Sequence, residues 1–177
     1  FNYSVNSLKI DELLNIKCKK INTNKSKLSV ILNDGIVVDD LIIGNIDNSK
    51  FRLVTNANNN DFFDGIDYLN KKEKTILALQ GPGSQKILED LTSTSLSDLY
   101  FMENKTIIND KFEICRCGYT GEDGFEIYLN ESYGNELYEN LVSLADNYEK
   151  TSVQFGGLIE RDMLRTEAGL CLSGAEF

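Results

Sequence analysis

The feature that most restricts how this chain can fold is a strand-forming run broken in its middle by two acids. Ile36, Val37, Val38, Leu41, Ile42 and Ile43 are apolar and mostly β-branched, and Asp39-Asp40 stands between them. An ionised carboxylate inside such a run is costly to desolvate unless something pairs with it. On a strand the two acids point to opposite faces, so one can reach solvent while the other faces a cavity. The alternative is an edge strand or bulge with both acids solvated. Ahead of the run, Lys27 to Leu32 is a second strand-like stretch, and the intervening Asn33-Asp34-Gly35 favours a tight turn. Together they predict a hairpin.

Further elements follow from periodicity. Leu8, Leu13 and Leu14 predict a short helix over Ser7 to Ile16, with Asp11 and Glu12 in an early turn that suits the helix dipole. Phe51 to Thr55 reads as a strand, and Phe62 to Leu69 as a return to helix before the charged cluster Lys71-Lys72-Glu73-Lys74, where a boundary is expected. Residues 1–72 and 73–177 are accordingly read as two subdomains. In the second, strand Thr75 to Gln80 meets the turn Gly81-Pro82-Gly83 and a helix that Ser84 can cap, with Ile87, Leu88 and Leu91 apolar. Strands Phe112 to Tyr119 and Phe125 to Leu129 follow. A helix over Glu136 to Asp146 carries Leu137, Leu141 and Leu144 on one face. Ile159 to Ala168 has helical composition. The expected class is α+β, with antiparallel sheets, packed helices and a ferredoxin-like second half.

Composition excludes several chemistries. The 177 residues contain no His, which removes Ser-His-Asp triads, Cys-His pairs and imidazole metal sites from the chain. Acid-base work then falls to carboxylates, Lys or Tyr. Cys18, Cys115, Cys117 and Cys171 lack CxxC spacing; they read as reduced thiols, with Cys115 and Cys117 packing side by side and no metal expected. A formal charge of −10 argues against nucleic acid, whose binding needs concentrated Lys and Arg. No apolar window approaches the roughly 18 residues of a membrane span, so no membrane partner is expected.

Four features could carry chemistry. One is the acidic pair. A second is the segment Gly118 to Gly124, whose Gly118, Gly121 and Gly124 permit close approach and positive φ around Tyr119, Glu122 and Asp123. In the next strand Phe125, Ile127 and Leu129 share one face and send Glu126 and Tyr128 to the other, a face that is ordinarily solvated. A third is Gly81-Pro82-Gly83-Ser84, at a helix N-terminus where an anion could bind, although it lacks P-loop and GxGxxG spacing and reads as a turn. The fourth is Arg161 with Arg165 on one helix face beside Asp162 and Glu167, a mixture that usually forms a solvated salt-bridge surface.

In wording and order these pieces resemble the aminomethyltransferase family, the T-protein of glycine cleavage. The carriers are the Gly hairpin with its Asp-Asp strand, then VTNAN from Val54, ALQGP from Ala78, RCGYTGEDGFEI from Arg116 and ERDMLRTEAGLCLSG from Glu160. The match covers most of residues 28 to 176. It departs from the family in Asp34-Gly35, where Gly-Gly is usual, within a hairpin one residue shorter.

The resemblance implies the chemistry. Asp40 falls on the family's catalytic carboxylate and Asp39 on its supporting neighbour. Val54 and Asn56 fall on pterin-contacting positions, Tyr119 and Glu126 on folate-site positions, and Arg161 on an Arg used at the same cavity. The implied reaction takes an aminomethyl group from the lipoyl arm of H-protein, releases ammonia and forms 5,10-methylenetetrahydrofolate from tetrahydrofolate. Lipoylated H-protein and other glycine-cleavage components are the implied partners, in the mitochondrial matrix of a eukaryote or the cytoplasm of a bacterium. The family continues into a further β-rich domain absent here, so the chain is read as a fragment that need not turn over alone. The competing readings are a non-catalytic folate-binding module and a related folate-dependent demethylase domain.

Overall fold

A computed structural model describes residues 2–5, 20–47, 50–56, 74–108, 111–145, 148 and 153–176. The expected helices at Ser7 to Ile16 and Phe62 to Leu69 lie outside the described residues, as does Cys18. The chain divides into two compact units, Phe1–Lys72 with Leu172–Phe177, and Glu73–Cys171. Its class is α+β, with one four-stranded antiparallel sheet in each unit.

In the first unit the strands are β1 (Asn2–Val5), β2 (Ser26–Asn33), β3 (Ile36–Asp47) and β4 (Lys50–Thr55), ordered β1-β4-β3-β2. The predicted hairpin joins β2 to β3 through Asp34 and Gly35, at φ of 50° and 81°. Positive φ at both residues of a two-residue loop matches the right-handed twist of the strands it links. Ile31 pairs with Asp39 but Leu32 pairs with Val37, so Val38 is an extra residue on β3. This bulge reverses the alternation just before the acidic pair. Beyond it Asp39, Leu41, Ile43 and Asn45 form the buried face of β3, matched across β4 by Leu53 and Phe51. Asn45 also anchors the approach to β2, donating through Nδ2 to the Ile21 carbonyl at 2.7 Å.

The second unit contains β5 (Lys74–Gln80), α1 (Ser84–Thr92), β6 (Asn104–Ile107), β7 (Phe112–Cys115), β8 (Gly124–Asn130), α2 (Glu131–Ala145) and α3 (Leu158–Glu167). Strand order is β5-β8-β7-β6. Strands β5 and β7 are parallel with β8 inserted antiparallel between them, which is the split β-α-β pattern of ferredoxin-like units, and β6 is an added outer strand. Phe125, Ile127 and Leu129 on β8, Ile114 on β7 and Leu79 on β5 form one apolar face. Ile87 and Leu88 of α1 and Leu137 and Leu141 of α2 cover it, with Leu96 and Leu99 closing the space between.

Three boundaries differ from expectation for physical reasons. Helix α2 starts at Glu131 rather than Glu136, because it follows β8 with no intervening turn residue. Strand β7 ends at Cys115, short of Tyr119, where the chain leaves the ladder for the glycine-rich loop. At α1, Ser84 is the first helical residue and not the cap; Gly83 occupies the cap position and supplies no side-chain bond.

Ile127 is fully buried on the central strand of its sheet. Ile127→Ala is expected to lower stability by about 2–5 kcal/mol, transfer and cavity costs together, read as a shift of the urea midpoint by tyrosine fluorescence.

Candidate functional site

The sequence-predicted residues fall into two groups, one in each unit. In the first, Leu41 and Ile42 pair with Thr55 and Val54, so the chain just past β4 places Asn56 beside Asp40. Asn56 donates through Nδ2 to Asp40 Oδ1 at 2.9 Å and to Asp39 Oδ1 at 2.7 Å. One amide nitrogen thus holds both carboxylates. Val54 lies across from Ile42 on the face that carries Asp40 and is half-buried, as Asp40 is.

The two acids are not equivalent. Asp39 is 0% exposed, on the apolar side of the sheet, and also accepts from Ser173 Oγ at 3.2 Å. Its Oδ2 is buried and has no hydrogen-bond partner among the described residues. A buried acceptor left unpaired costs about 1–3 kcal/mol, a penalty that folds retain mainly at functional positions. Asp39 is therefore buried and held, while Asp40 lies nearer the surface.

In the second unit Tyr119 and Arg161 come together. The Arg161 guanidinium sits 4.8 Å from the centre of the Tyr119 ring, and the Tyr119 hydroxyl donates to the Cys171 carbonyl. Their approach depends on the loop between them. Gln80, at the end of β5, donates to the Cys117 carbonyl at 3.1 Å and accepts from Thr120 Oγ1 at 3.2 Å. A side chain at Gly118 would place Cβ 1.7 Å from Gln80 Oε1, and one at Gly124 would fall 2.6 Å from the same amide group. At Gly121, φ is +76° and an added Cβ would lie 2.5 Å from Ala168, just past α3. The glycines let the loop close over the Gln80 amide and against the end of α3.

Glu126 occupies a separate position, on β8 between Ala78 and Cys115 in the ladder. Its Oε2 accepts from Tyr128 at 2.6 Å. The expected solvated face is not present here: Tyr128 is 1% exposed and Cys115 and Cys117 are buried. The Cys117 thiol is pushed far up from its usual range by its hydrogen bond with Cys115, then by burial and the neighbouring Glu126 charge. It is held protonated, as a packing thiol and not a nucleophile.

Comparison with known proteins decides the family. Residues 8–177 match the model of the GCVT N-terminal domain. The chain belongs to that family. It is 36% identical over 182 residues to an aminomethyltransferase of Thermoanaerobacter pseudethanolicus, a match covering 94% of this chain and 49% of the relative. With an aminomethyltransferase of Alkaliphilus metalliredigens it shares 38% identity over 159 residues, 81% of this chain and 42% of the relative. The crystal structure of glycine cleavage system aminomethyltransferase T from Bartonella henselae superposes with a TM-score of 0.79 at 32% identity, over 97% of this chain and 49% of that one. The chain spans about half the length of these relatives.

Within this GCVT N-terminal domain, sequence reading missed several supporting residues. Arg116 donates through Nε and Nη2 to the two oxygens of Asp123 at 2.8 and 2.6 Å. It also donates to Gln85 Oε1 at 2.9 Å and the Leu99 carbonyl at 2.8 Å, and its Cζ lies 5.4 Å from the Phe125 ring centre. This clamp fixes both ends of the Tyr119 loop. Arg165 is likewise no solvated charge: it is 7% exposed, bonds Asp162 at 2.8 Å and closes the end of α3 on the Leu170 carbonyl at 3.2 Å. Arg116 borders the glycine motif, which was the available signal; Ser173 offered none, since it is 134 residues from Asp39 in sequence.

The hydrogen bond from Arg116 holds the Asp123 carboxyl below its ordinary range, partly opposed by burial. A depressed folded value stabilises the fold at pH above the unfolded carboxylate value, and that stability is lost as pH falls through the folded one. Asp123→Asn is therefore expected to lower the urea midpoint at neutral pH, with the gap to the parent narrowing as pH drops below the normal Asp range. Arg116→Met is expected to cost about 1–2 kcal/mol, reduced by water at the partly exposed Asp123.

Proposed function

We propose that the chain is the folate-facing portion of a glycine-cleavage aminomethyltransferase. The observation that carries this reading is the Asn56 amide bridging Asp39 and Asp40, on the strand pair that also presents Val54. The names of its relatives and its 0.79 superposition on a glycine-cleavage aminomethyltransferase support it.

In this reading tetrahydrofolate is the acceptor substrate and the aminomethyl group arrives on the lipoyl arm of H-protein, which with the other glycine-cleavage components forms the partner set. The carbon–nitrogen bond to ammonia and the carbon–sulfur bond to lipoyl break, two carbon–nitrogen bonds to folate form, and the folate amine protons leave with ammonia and the dihydrolipoyl thiol. A carboxylate suits such a sequence, because it can accept these protons and stabilise the cationic one-carbon centre as ammonia departs. Asp40 takes that role. Asp39, buried and bonded by Asn56 and Ser173, fixes the geometry of the pair. Val54 and Asn56 contact the pterin, while Tyr119, Glu126 and Arg161 complete the folate contacts, Arg161 through a cationic group suited to an anionic tail. The relatives and the solved structure come from bacteria, so the mitochondrial expectation draws no support from them.

Ammonia release from aminomethylated H-protein is assayed with the full-length gene product, and tetrahydrofolate binding is read by tyrosine emission on this 177-residue chain, which has no Trp. Asp40→Asn is expected to reduce product formation by at least about tenfold with an unchanged urea midpoint. A full-rate variant removes Asp40 from the mechanism. Folate binding without ammonia release in the parent would make the protein a binding module.

A further inference from the structure

Glu126 stands on β8 among small neighbours on its own face of the sheet. Gly124 precedes it by two residues, Ala78 pairs with it from β5 and Cys115 from β7. None of these carries a strong side-chain donor, and the adjoining Cys117 thiol is a weak one. Tyr128, two residues further along the same face, differs from them. Its hydroxyl donates to Glu126 Oε2 at 2.6 Å, within the short range of about 2.5–2.7 Å for a hydroxyl on a carboxylate.

This donor is fixed in place. Tyr128 is 1% exposed, so close packing sets the ring and with it the position of the hydroxyl. Glu126 is only half-buried. A buried ring therefore braces a carboxylate that still reaches accessible space. An unbraced glutamate loses rotamer freedom when a ligand immobilises it, and that loss is taken from the binding free energy; a glutamate already held avoids it. Each carboxylate oxygen has two acceptor positions, so the bond from Tyr128 occupies one of those on Oε2 and leaves the two oxygens able to accept a pair of parallel N–H bonds.

We propose that Tyr128 is a positioning residue of the folate site: it holds the Glu126 carboxylate turned to accept both donors of a 2-aminopyrimidinone ring edge, and so sets selectivity for the amino group of the pterin. The assignment rests on the folate reading, in which Glu126 contacts the pterin. Tyr128 acts through Glu126 and not on the ligand. Without the hydroxyl, Glu126 turns about its side-chain bonds and no longer presents both oxygens together.

The test measures Kd by equilibrium dialysis on the full-length gene product, with tetrahydrofolate and with its 2-desamino analogue, which has hydrogen in place of the amino group. Tyr128→Phe deletes the hydroxyl and keeps the buried ring. It is expected to weaken tetrahydrofolate binding at least about fivefold and binding of the analogue by less than about twofold. In a Glu126→Ala background the same change should alter tetrahydrofolate binding by less than about twofold, because its route to the ligand is gone. Damaged packing would weaken both ligands alike and would persist without Glu126, so these two readouts separate positioning from a structural role. Parental affinity in Tyr128→Phe, equal weakening of both ligands, or a full effect in the Glu126→Ala background would each overturn the assignment and leave the folate reading standing. A parent that does not bind tetrahydrofolate would overturn the folate reading, and the assignment with it.

Discussion

The register of β8 is the constraint on which most of the second unit rests. Phe125, Ile127 and Leu129 are all fully buried on one side, and a slip of one residue would turn that whole set away from the core. Because the apolar face fixes β8, the ladder to β5 sets Gly124 opposite Gln80 and Glu126 opposite Ala78, and the ladder to β7 sets Glu126 opposite Cys115. The Gln80 amide then lies where it can hold the loop ahead of β8. Placement of Tyr119 is thus a consequence of hydrophobic burial several residues away.

The first unit reaches a comparable result through a defect. A regular strand would set Val37, Asp39 and Leu41 on one face. With Val38 as an extra residue, Val37 turns to the other side while Asp39 stays with Leu41. The exposed hairpin tip and the buried carboxylate are thereby joined in one strand. Asn56 offsets part of the cost of burying Asp39 and gives Asp40 a fixed neighbour, so a single amide ties the buried acid to the accessible one.

Much of this was legible in the residues, and the exceptions have a common cause. Alternation along β8 and the Asp39-Asp40 split are properties of neighbouring residues, and local period conveys them. The Val38 bulge depends on how β2 and β3 pair, which neither strand states alone. Ser84 resembled a cap because of its side chain, but the backbone placed Gly83 there. Arg165 looked like a surface cation and proved to be buried against Asp162 and the Leu170 carbonyl, while the several acceptors of Arg116 include the Leu99 carbonyl, which only the fold brings to it. The polar face of β8 looked solvated because sequence shows which side a residue faces but not what covers that side.

The Ser173 hydroxyl on Asp39 has a consequence for biosynthesis. Leu172–Phe177 belongs to the same unit as the first 72 residues, so Glu73–Cys171 is an insertion within that unit. A ribosome releases the whole insertion before it releases Ser173. The acidic pair is therefore assembled in two instalments, Asn56 early and Ser173 last, and its completion waits on closure of a loop 134 residues long. On a nascent chain, Asp39 Oδ1 would have Asn56 as its donor but lack the Ser173 hydroxyl until nearly the end of this sequence had emerged.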